Sequence, residues 1–366
     1  MFGKKFLNLY TFYIGFLFTN ALAMSLTYLY FIYRGLSYTQ ILVADLIEYS
    51  SAVLLLLILR KLSTKTGLVI AVTFSIAKFL LLYSLTSEYQ LYLSRMLVGM
   101  NMVFFSVCYN INHYRLTQKD KIGLSSGLLF SIGPILGILI PGIKGFIVDK
   151  YGFEFIFIIT AVLALILFYM ITKVENVRIN FSLFDLFKSI KGLRMILFFE
   201  GLIESIIFSI IPLITLLYIK TPIKLGLFSS ILAFAAFFGN LLFGKISDRM
   251  RNRKSFLYIL PTFIALSVLS LGFSKDIYSW IMFSALAGFF LSLSWPFMIA
   301  LVVDKYPKVE DSMIPREFML NFGRIIGMTI FISIFIVFNN LYLGLIIMGL
   351  LSFIYPIFIR VKKVYN

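Results

Sequence analysis

Apolar positions along this chain do not fall at the three-and-four spacing of a surface helix, nor in strict alternation. They come in blocks of about 20 residues that are apolar on every side, the length that spans a bilayer core as a helix. Twelve such segments can be drawn: Phe6–Tyr30, Tyr38–Leu59, Leu68–Leu85, Tyr89–Asn110, Ile122–Ile143, Phe153–Ile171, Met195–Ile219, Leu225–Phe243, Ser255–Phe273, Ile277–Val303, Phe318–Val337 and Leu341–Ile359. The first resembles a signal peptide, with Lys4, Lys5 and Ala21-Leu22-Ala23. Its apolar run exceeds the about 7–15 residues of a signal core, so it is read as a spanning helix.

Connections are short except for Thr172–Arg194. Six segments precede it and six follow. This predicts an N-terminal six-helix bundle (1–172), a cytoplasmic linker (173–194) and a C-terminal six-helix bundle (195–366). Within the linker, Phe181, Leu183, Phe184, Leu186, Phe187 and Ile190 alternate with Asp185, Lys188 and Lys191. That pattern suits a short amphipathic helix on the membrane face, although a plain connector is the simpler reading. The halves are weakly alike: Gly35-Leu36-Ser37-Tyr38 opens segment 2, and Gly226-Leu227-Phe228-Ser229 opens segment 8. Paired halves of this kind are a transporter signature, with the substrate site at mid-membrane between them.

Composition supports the same class. Hydrophobic residues are 61% of the chain and charged residues 13%, with a mean hydropathy of +0.98. Soluble domains carry about 45–50% and about 25%, so too few charges exist to cover a soluble globule. One Cys (Cys108) and one His (His113) exclude a disulfide scaffold and the usual multi-His metal sites. The net charge of +17 would suggest nucleic acid in a soluble protein. Here its distribution matters more. With the N-terminus inside, 24 Lys and Arg fall on the inner side, 6 on the outer (Arg34, Lys144, Lys150, Lys220, Lys224, Lys275) and 3 within spans. This bias predicts a multi-pass plasma-membrane protein with both termini cytoplasmic and no nucleic-acid partner.

One local motif stands out. Gly244-Lys245-Ile246-Ser247-Asp248-Arg249-Met250-Arg251-Asn252-Arg253-Lys254, between segments 8 and 9, resembles the G-x-x-x-D-R-x-G-R-[RK] loop of the major facilitator superfamily. Arg251 stands where the family has its second Gly, and Asn252 where it has a basic residue. The matching first-half stretch, Arg60 to Gly67, has Thr64 in place of the family's Asp. Arg95-Met96-Leu97-Val98-Gly99 resembles the family's R-x-x-x-G element, Gly133-Pro134-Ile135-Leu136-Gly137 its G-P-x-x-G element, and Gly145 to Gly152 its short outer loop. Arg316-Glu317-Phe318 with Asn321-Phe322-Gly323-Arg324 is similar to a stretch of some members. The resemblance implies an all-α membrane protein of two pseudo-symmetric six-helix bundles, working as a monomer by alternating access, with a cavity lined by segments 1, 4, 7 and 10. It gives Gly244, Asp248, Arg249, Arg253 and Lys254 a gating role, and lets Gly133, Pro134 and Gly137 work as a gate against segment 8. Packing and kinks are the alternative for these glycines and prolines.

Ionisable residues at mid-span are costly and point to function or to structural pairing. There are seven: Asp45, Glu48, Lys78, Arg95, Glu200, Glu204 and Arg324. Counted at about 1.5 Å per residue, Asp45 and Arg95 reach one level, and Glu48 and Arg324 differ by about 4 Å. Asp45–Arg95 is therefore expected as a pair within the first half, and Glu48–Arg324 as a pair across the halves. Glu200 and Glu204, four apart, share a helix face. Two carboxylates there cannot both be ionised cheaply, so Glu204 is the expected carrier of a coupling proton, with Glu200 as its neighbour and Asp45 and Glu48 as further candidates. Asn20, Arg95, Asn101, Glu204 and Trp295 are candidate contacts for a small-molecule substrate.

No Asp-rich diphosphate site, metal cluster or nucleotide-binding loop is present, so neither an enzyme nor a cofactor is expected. The expected partners are a substrate, protons and the lipid bilayer. Few fixed charges and many Phe and Tyr lean towards export of a lipophilic or cationic compound. A non-transporting receptor or scaffold of the same fold is the alternative.

Overall fold

The computed structural model describes residues 3–118, 121–180, 182, 189–247, 254–306 and 308–362. Nearly all of them are helical. The elements are α1 (Lys4–Met24), α2 (Thr27–Tyr33), α3 (Tyr38–Ile58), α4 (Thr64–Tyr83), α5 (Glu88–Leu116), α6 (Ile122–Thr172), α7 (Arg194–Ser205), a π turn (Ile206–Ile210), α8 (Ile211–Tyr218), α9 (Pro222–Ser247), α10 (Lys254–Leu271), α11 (Ile277–Lys305), α12 (Val309–Phe338), α13 (Leu341–Ser352) and α14 (Ile354–Lys362). Ten helices among the described residues are long and apolar enough to cross a membrane, counting stacked pieces such as α1 with α2 together. Tyr258–Leu271 is a shorter apolar helix.

Several segments depart from the simple spans expected. Segment 1 breaks near its end, where Ser25 leaves the helix and Leu26 takes φ +72°, a left-handed conformation. Segments 5 and 6 join in the 51 residues of α6, broken at Gly152, whose φ of +83° disfavours any side chain. The helix runs through Pro134 and Pro141 without such a break. Segment 7 contains the π turn, a frequent mark of functional sites.

The ends are fixed by local chemistry. Ser37 with Gln40, Ser87 with Gln90, and Asp276 with Ser279 form capping boxes at the starts of α3, α5 and α11. These starts lie on the side away from the chain termini. There Arg34 also pairs with Glu154, and Tyr33 donates to the Lys220 carbonyl at 2.8 Å. On the terminus side Lys5 pairs with Glu175, and Arg115 with Glu310 at 2.5 Å.

A small departure from the all-α expectation sits on the terminus side. Lys61–Ser63 (β1) and Arg178–Asn180 (β2) pair antiparallel, with Leu62 opposite Ile179. Thr64, the residue in the place of the superfamily's Asp, holds this ribbon: its amide donates to the Val177 carbonyl at 2.8 Å, and its hydroxyl accepts from the Val177 amide at 2.9 Å. The expected amphipathic helix in the linker falls largely on residues 181 and 183–188, outside the described residues.

Two crossings position the charged residues. At Gly99 on α5, an added Cβ would overlap the Glu48 carbonyl oxygen and the Ser51 hydroxyl of α3. At Gly201 on α7 and Gly323 on α12, it would overlap the Leu320 and Phe198 carbonyl oxygens. Only hydrogen atoms allow such close backbone contact. Between the two halves, α6 packs on α9 and α3 on α12.

Candidate functional site

The glycine contacts bring buried charges together. In the first half, Gly99 lies one turn from Arg95 and seats it against α3. The Arg95 guanidinium lies 2.7 Å from Asp45 Oδ1, a charge contact without hydrogen-bond angles. It donates to Glu48 Oε2 at 3.0 Å. Tyr28 at the start of α2 donates to Asp45 Oδ2 at 2.6 Å. Arg95 stands over the Tyr28 and Phe31 rings, 5.3 and 5.4 Å from their centroids. The expected Asp45–Arg95 pair is present. Glu48, however, pairs with Arg95 rather than Arg324. The depth count could not see that Arg95 reaches both carboxylates, which sit three residues apart on one face of α3.

In the second half, Gly201 and Gly323 draw α7 against α12 and give Arg324 its partner. Its Nε and Nη2 donate to Glu204 Oε2 at 3.0 and 2.6 Å. Its Nη1 donates to Asn321 Oδ1 at 2.8 Å. Glu204 Oε1 accepts from the Trp295 indole at 2.7 Å. Arg324 also faces the first half, with Met102 Sδ 3.5 Å from Nη1 and the Tyr49 ring 5.6 Å from the guanidinium. One turn from Glu204, Glu200 is buried among Leu260, Pro261, Ile264, Phe297 and Tyr355, and neither of its oxygens has a hydrogen-bond partner. A bare charge is costly in such surroundings, whereas the neutral acid is tolerated.

Two chambers meet at Trp295. The one nearer the chain termini, about 390 Å³, is lined by Tyr13, Met102, Phe105, Tyr109, Asn110, Phe130, Glu204, Phe208, Trp295, Arg316, Glu317 and Arg324, among others. These residues come from α1, α5, α6, α7, the π turn, α11 and α12, which include the four segments expected around the cavity. The other chamber, about 350 Å³, is apolar and is lined by Leu26, Tyr28, Gly133, Pro134, Ile211, Pro212, Phe228, Leu232, Ser284, Leu291 and Trp295, among others. Trp295 stacks between Phe130 and Phe208, with ring centroids 6.0 and 5.5 Å away.

Of the candidate substrate contacts, Trp295 and Glu204 line the polar chamber. Asn20, Arg95 and Asn101 line neither chamber. Asn20 accepts from Lys78 at 2.7 Å, and Asn101 donates to Ser75 at 2.9 Å across the α4–α5 contact. Their polarity serves packing between helices. Gly133 and Pro134 do face the apolar chamber, and Gly137 meets Ala233 of α9. Asp248, Arg249 and Arg253 lie outside the described residues. Gly244 and Lys254 fall within α9 and α10, with nothing described of their side chains.

Sequence reasoning missed two groups. Lys144, counted as an outer-loop charge, is buried in α6 and donates to the Ala23 carbonyl at 2.6 Å, at the break between α1 and α2. Arg316 and Glu317, counted outside segment 11, pair at 2.6 Å on the chamber wall. Starting that segment at Phe318 hid them; α12 begins at Val309. With these two cations moved, the charge split becomes 23 to 5 and keeps its sign. Among the described residues, no group of three or more His, Cys, Asp or Glu is placed to hold a metal.

Residues 193–364 match the family model described as Major Facilitator Superfamily. No curated protein matches the chain in sequence. Solved structures match the fold over nearly the whole chain. A POT family transporter in complex with a thioalcohol-conjugated peptide gives a TM-score of 0.72 at 14% identity, covering 99% of this chain and 96% of that one. The E. coli fucose:proton symporter gives 0.67 at 12%, covering 98% and 99%. The human organic anion transporter MFSD10 gives 0.69 at 11%, covering 97% and 100%. The second half of the chain thus matches the Major Facilitator Superfamily, and the chain over nearly its whole length shares the fold of these transporters.

Proposed function

We propose that this protein is a secondary active transporter that moves a small solute across the plasma membrane by alternating access, driven by protons. The observation that carries the reading is the Glu204–Arg324–Trp295 cluster on the chamber wall, with a partnerless carboxyl, Glu200, one turn away. Glu200 and Glu204 together hold one proton, on Glu200, while Glu204 stays ionised against Arg324. A second proton, on Glu204, releases Arg324. Arg324 already faces the first half at Tyr49 and Met102, so Glu48 is its alternative partner, and the cross-half pair belongs to the other conformation. A carboxylate that trades its cation for a proton couples the gradient to the seam between the halves.

Twelve crossings fit this reading. The 51 residues of α6 would measure about 77 Å as one helix, against about 30 Å of bilayer core, so the break at Gly152 divides two crossings. Counting α10 as a further crossing gives two six-segment bundles, 1–172 and 195–366, joined by 173–194, with both termini in the cytoplasm. One chain encloses both chambers, so a monomer suffices. The aromatic wall and the apolar second chamber favour a lipophilic or cationic compound, and export as the direction.

Purified protein in vesicles, with ethidium and tetraphenylphosphonium as probes, tests this. A pH gradient should drive probe accumulation. Glu204→Gln should still exchange probe across the membrane but lose gradient-driven accumulation. Accumulation by Glu204→Gln at the unsubstituted level would refute the role of Glu204.

A further inference from the structure

His113, the one histidine of the chain, is wholly buried in α5 and takes no part in the charge clusters. It sits in an unbroken line of hydrogen bonds. The Tyr109 hydroxyl lies 3.2 Å from Nδ1, and Ser125 Oγ of α6 lies 2.7 Å from Nε2. Ser125 Oγ lies 3.0 Å from Thr117 Oγ1, which donates in turn to the His113 carbonyl at 2.8 Å. The two ends of this line have different surroundings. Tyr109 is part of the polar chamber wall, whereas Thr117 is the cap residue at the terminus-side end of α5. Eight residues of helix separate them, about 12 Å.

We propose that Tyr109, His113, Ser125 and Thr117 form a proton relay between the polar chamber and the terminus-side surface. Tyr109 passes its hydroxyl proton to Nδ1 and takes one from chamber water. The resulting imidazolium gives its Nε2 proton to Ser125, Ser125 gives its own to Thr117, and Thr117, turning its hydroxyl away from the His113 carbonyl, gives its own to water at the helix end. The imidazole is then neutral again as its other tautomer. A ring turn, or passage in the reverse sense, resets it. No net charge stays behind.

An imidazole suits this place because each ring nitrogen can accept or donate. A purely structural tie between α5 and α6 would not need it: Tyr114 and Ser126, 2.9 Å apart, already make one beside it. From α1 the cluster faces Phe6, whose ring centroid is 5.3 Å from that of His113, and Tyr10 and Tyr13, which stack towards Tyr109. From α12 the nearest charge on the chamber wall is Arg316, which is held by Glu317. The Arg115–Glu310 pair joins the halves on the same side, beyond the chamber. The relay therefore gives the chamber a proton connection that does not depend on opening that contact.

This inference rests on the proton-coupled reading, and the two can fail separately. The chain has two tryptophans, so Trp280→Phe leaves Trp295, the indole bonded to Glu204, as the reporter. Protein in nanodiscs is taken through a rapid pH jump while Trp295 emission is followed. His113→Gln can still accept from Tyr109 and donate to Ser125, so a structural tie would survive. The relay predicts the same final emission and the same thermal midpoint, reached about 100-fold more slowly, the scale of a lost positioned proton transfer. Thr117→Val should slow it likewise, and serves as the reading if the His113 variant does not fold. A parent protein whose emission ignores pH would remove both coupling and relay. A parent that responds, with His113→Gln and Thr117→Val matching its rate, would remove the relay alone.

Discussion

Arg95 shows how much a single buried cation can hold. It pairs with two carboxylates from α3 and is itself covered by Tyr28 and Phe31. Arg95→Met should leave two negative charges without a partner, and removal of one member of a buried pair costs about 3–5 kcal/mol. The combination Arg95→Met, Asp45→Asn, Glu48→Gln should unfold at a clearly higher temperature than Arg95→Met alone, read as thermal midpoints in detergent. Equal midpoints would mean the cluster carries no such penalty. The Asp45–Arg95 pair was legible in the sequence because depth follows from position along a straight helix. The choice of Glu48's partner was not, because it depends on rotation about the helix axis and on which backbones touch. Tyr28 was illegible for another reason: the break at Leu26 turns it towards Asp45, and nothing in an all-round apolar segment marks that break.

At the scale of elements, the glycine contacts decide which helices can carry a charged pair. Gly323 on α12 has no room for a side chain against the Phe198 carbonyl of α7, whereas Gly127 on α6 has open space around it. Gly323→Leu should push α12 off α7, separate Arg324 from Glu204 and cost at least about 1–3 kcal/mol through overpacking. Gly127→Ala should change little. Thermal midpoints measure the cost, and loss of the Trp295 response to pH reports the broken Glu204 cluster. Gly99 was readable in the sequence only through its motif with Arg95. Gly201 carried no signal, because a lone glycine in an apolar segment looks the same whether it faces lipid or another backbone.

For the whole molecule, the distribution of basic residues carries the expected orientation. It survived the transfer of Lys144 and Arg316 into the interior, since a bias of this size does not hang on two residues. Topology is open to a direct test because the native Cys108 is buried between helices and should not react. In intact cells a membrane-impermeant maleimide should label Lys275→Cys, and should label Ser189→Cys only after permeabilisation. Labelling of Ser189→Cys from outside would invert the orientation. The all-helical membrane character was legible from segment lengths, and the six-plus-six division is an expectation drawn from them and one long polar stretch. The apolar chamber was not legible, since its wall is made of residues indistinguishable by hydropathy from those facing lipid.

The ribbon of Lys61–Ser63 with Arg178–Asn180 moves the seam of the molecule. Backbone hydrogen bonds, the Thr64 clasp and the Lys5–Glu175 contact fasten the chain to the first bundle well past the end of α6. The ribbon is thus a strain relief, as on a cable. A pull on the chain from beyond Asn180 is met by these contacts before it reaches the helix that ends at Thr172.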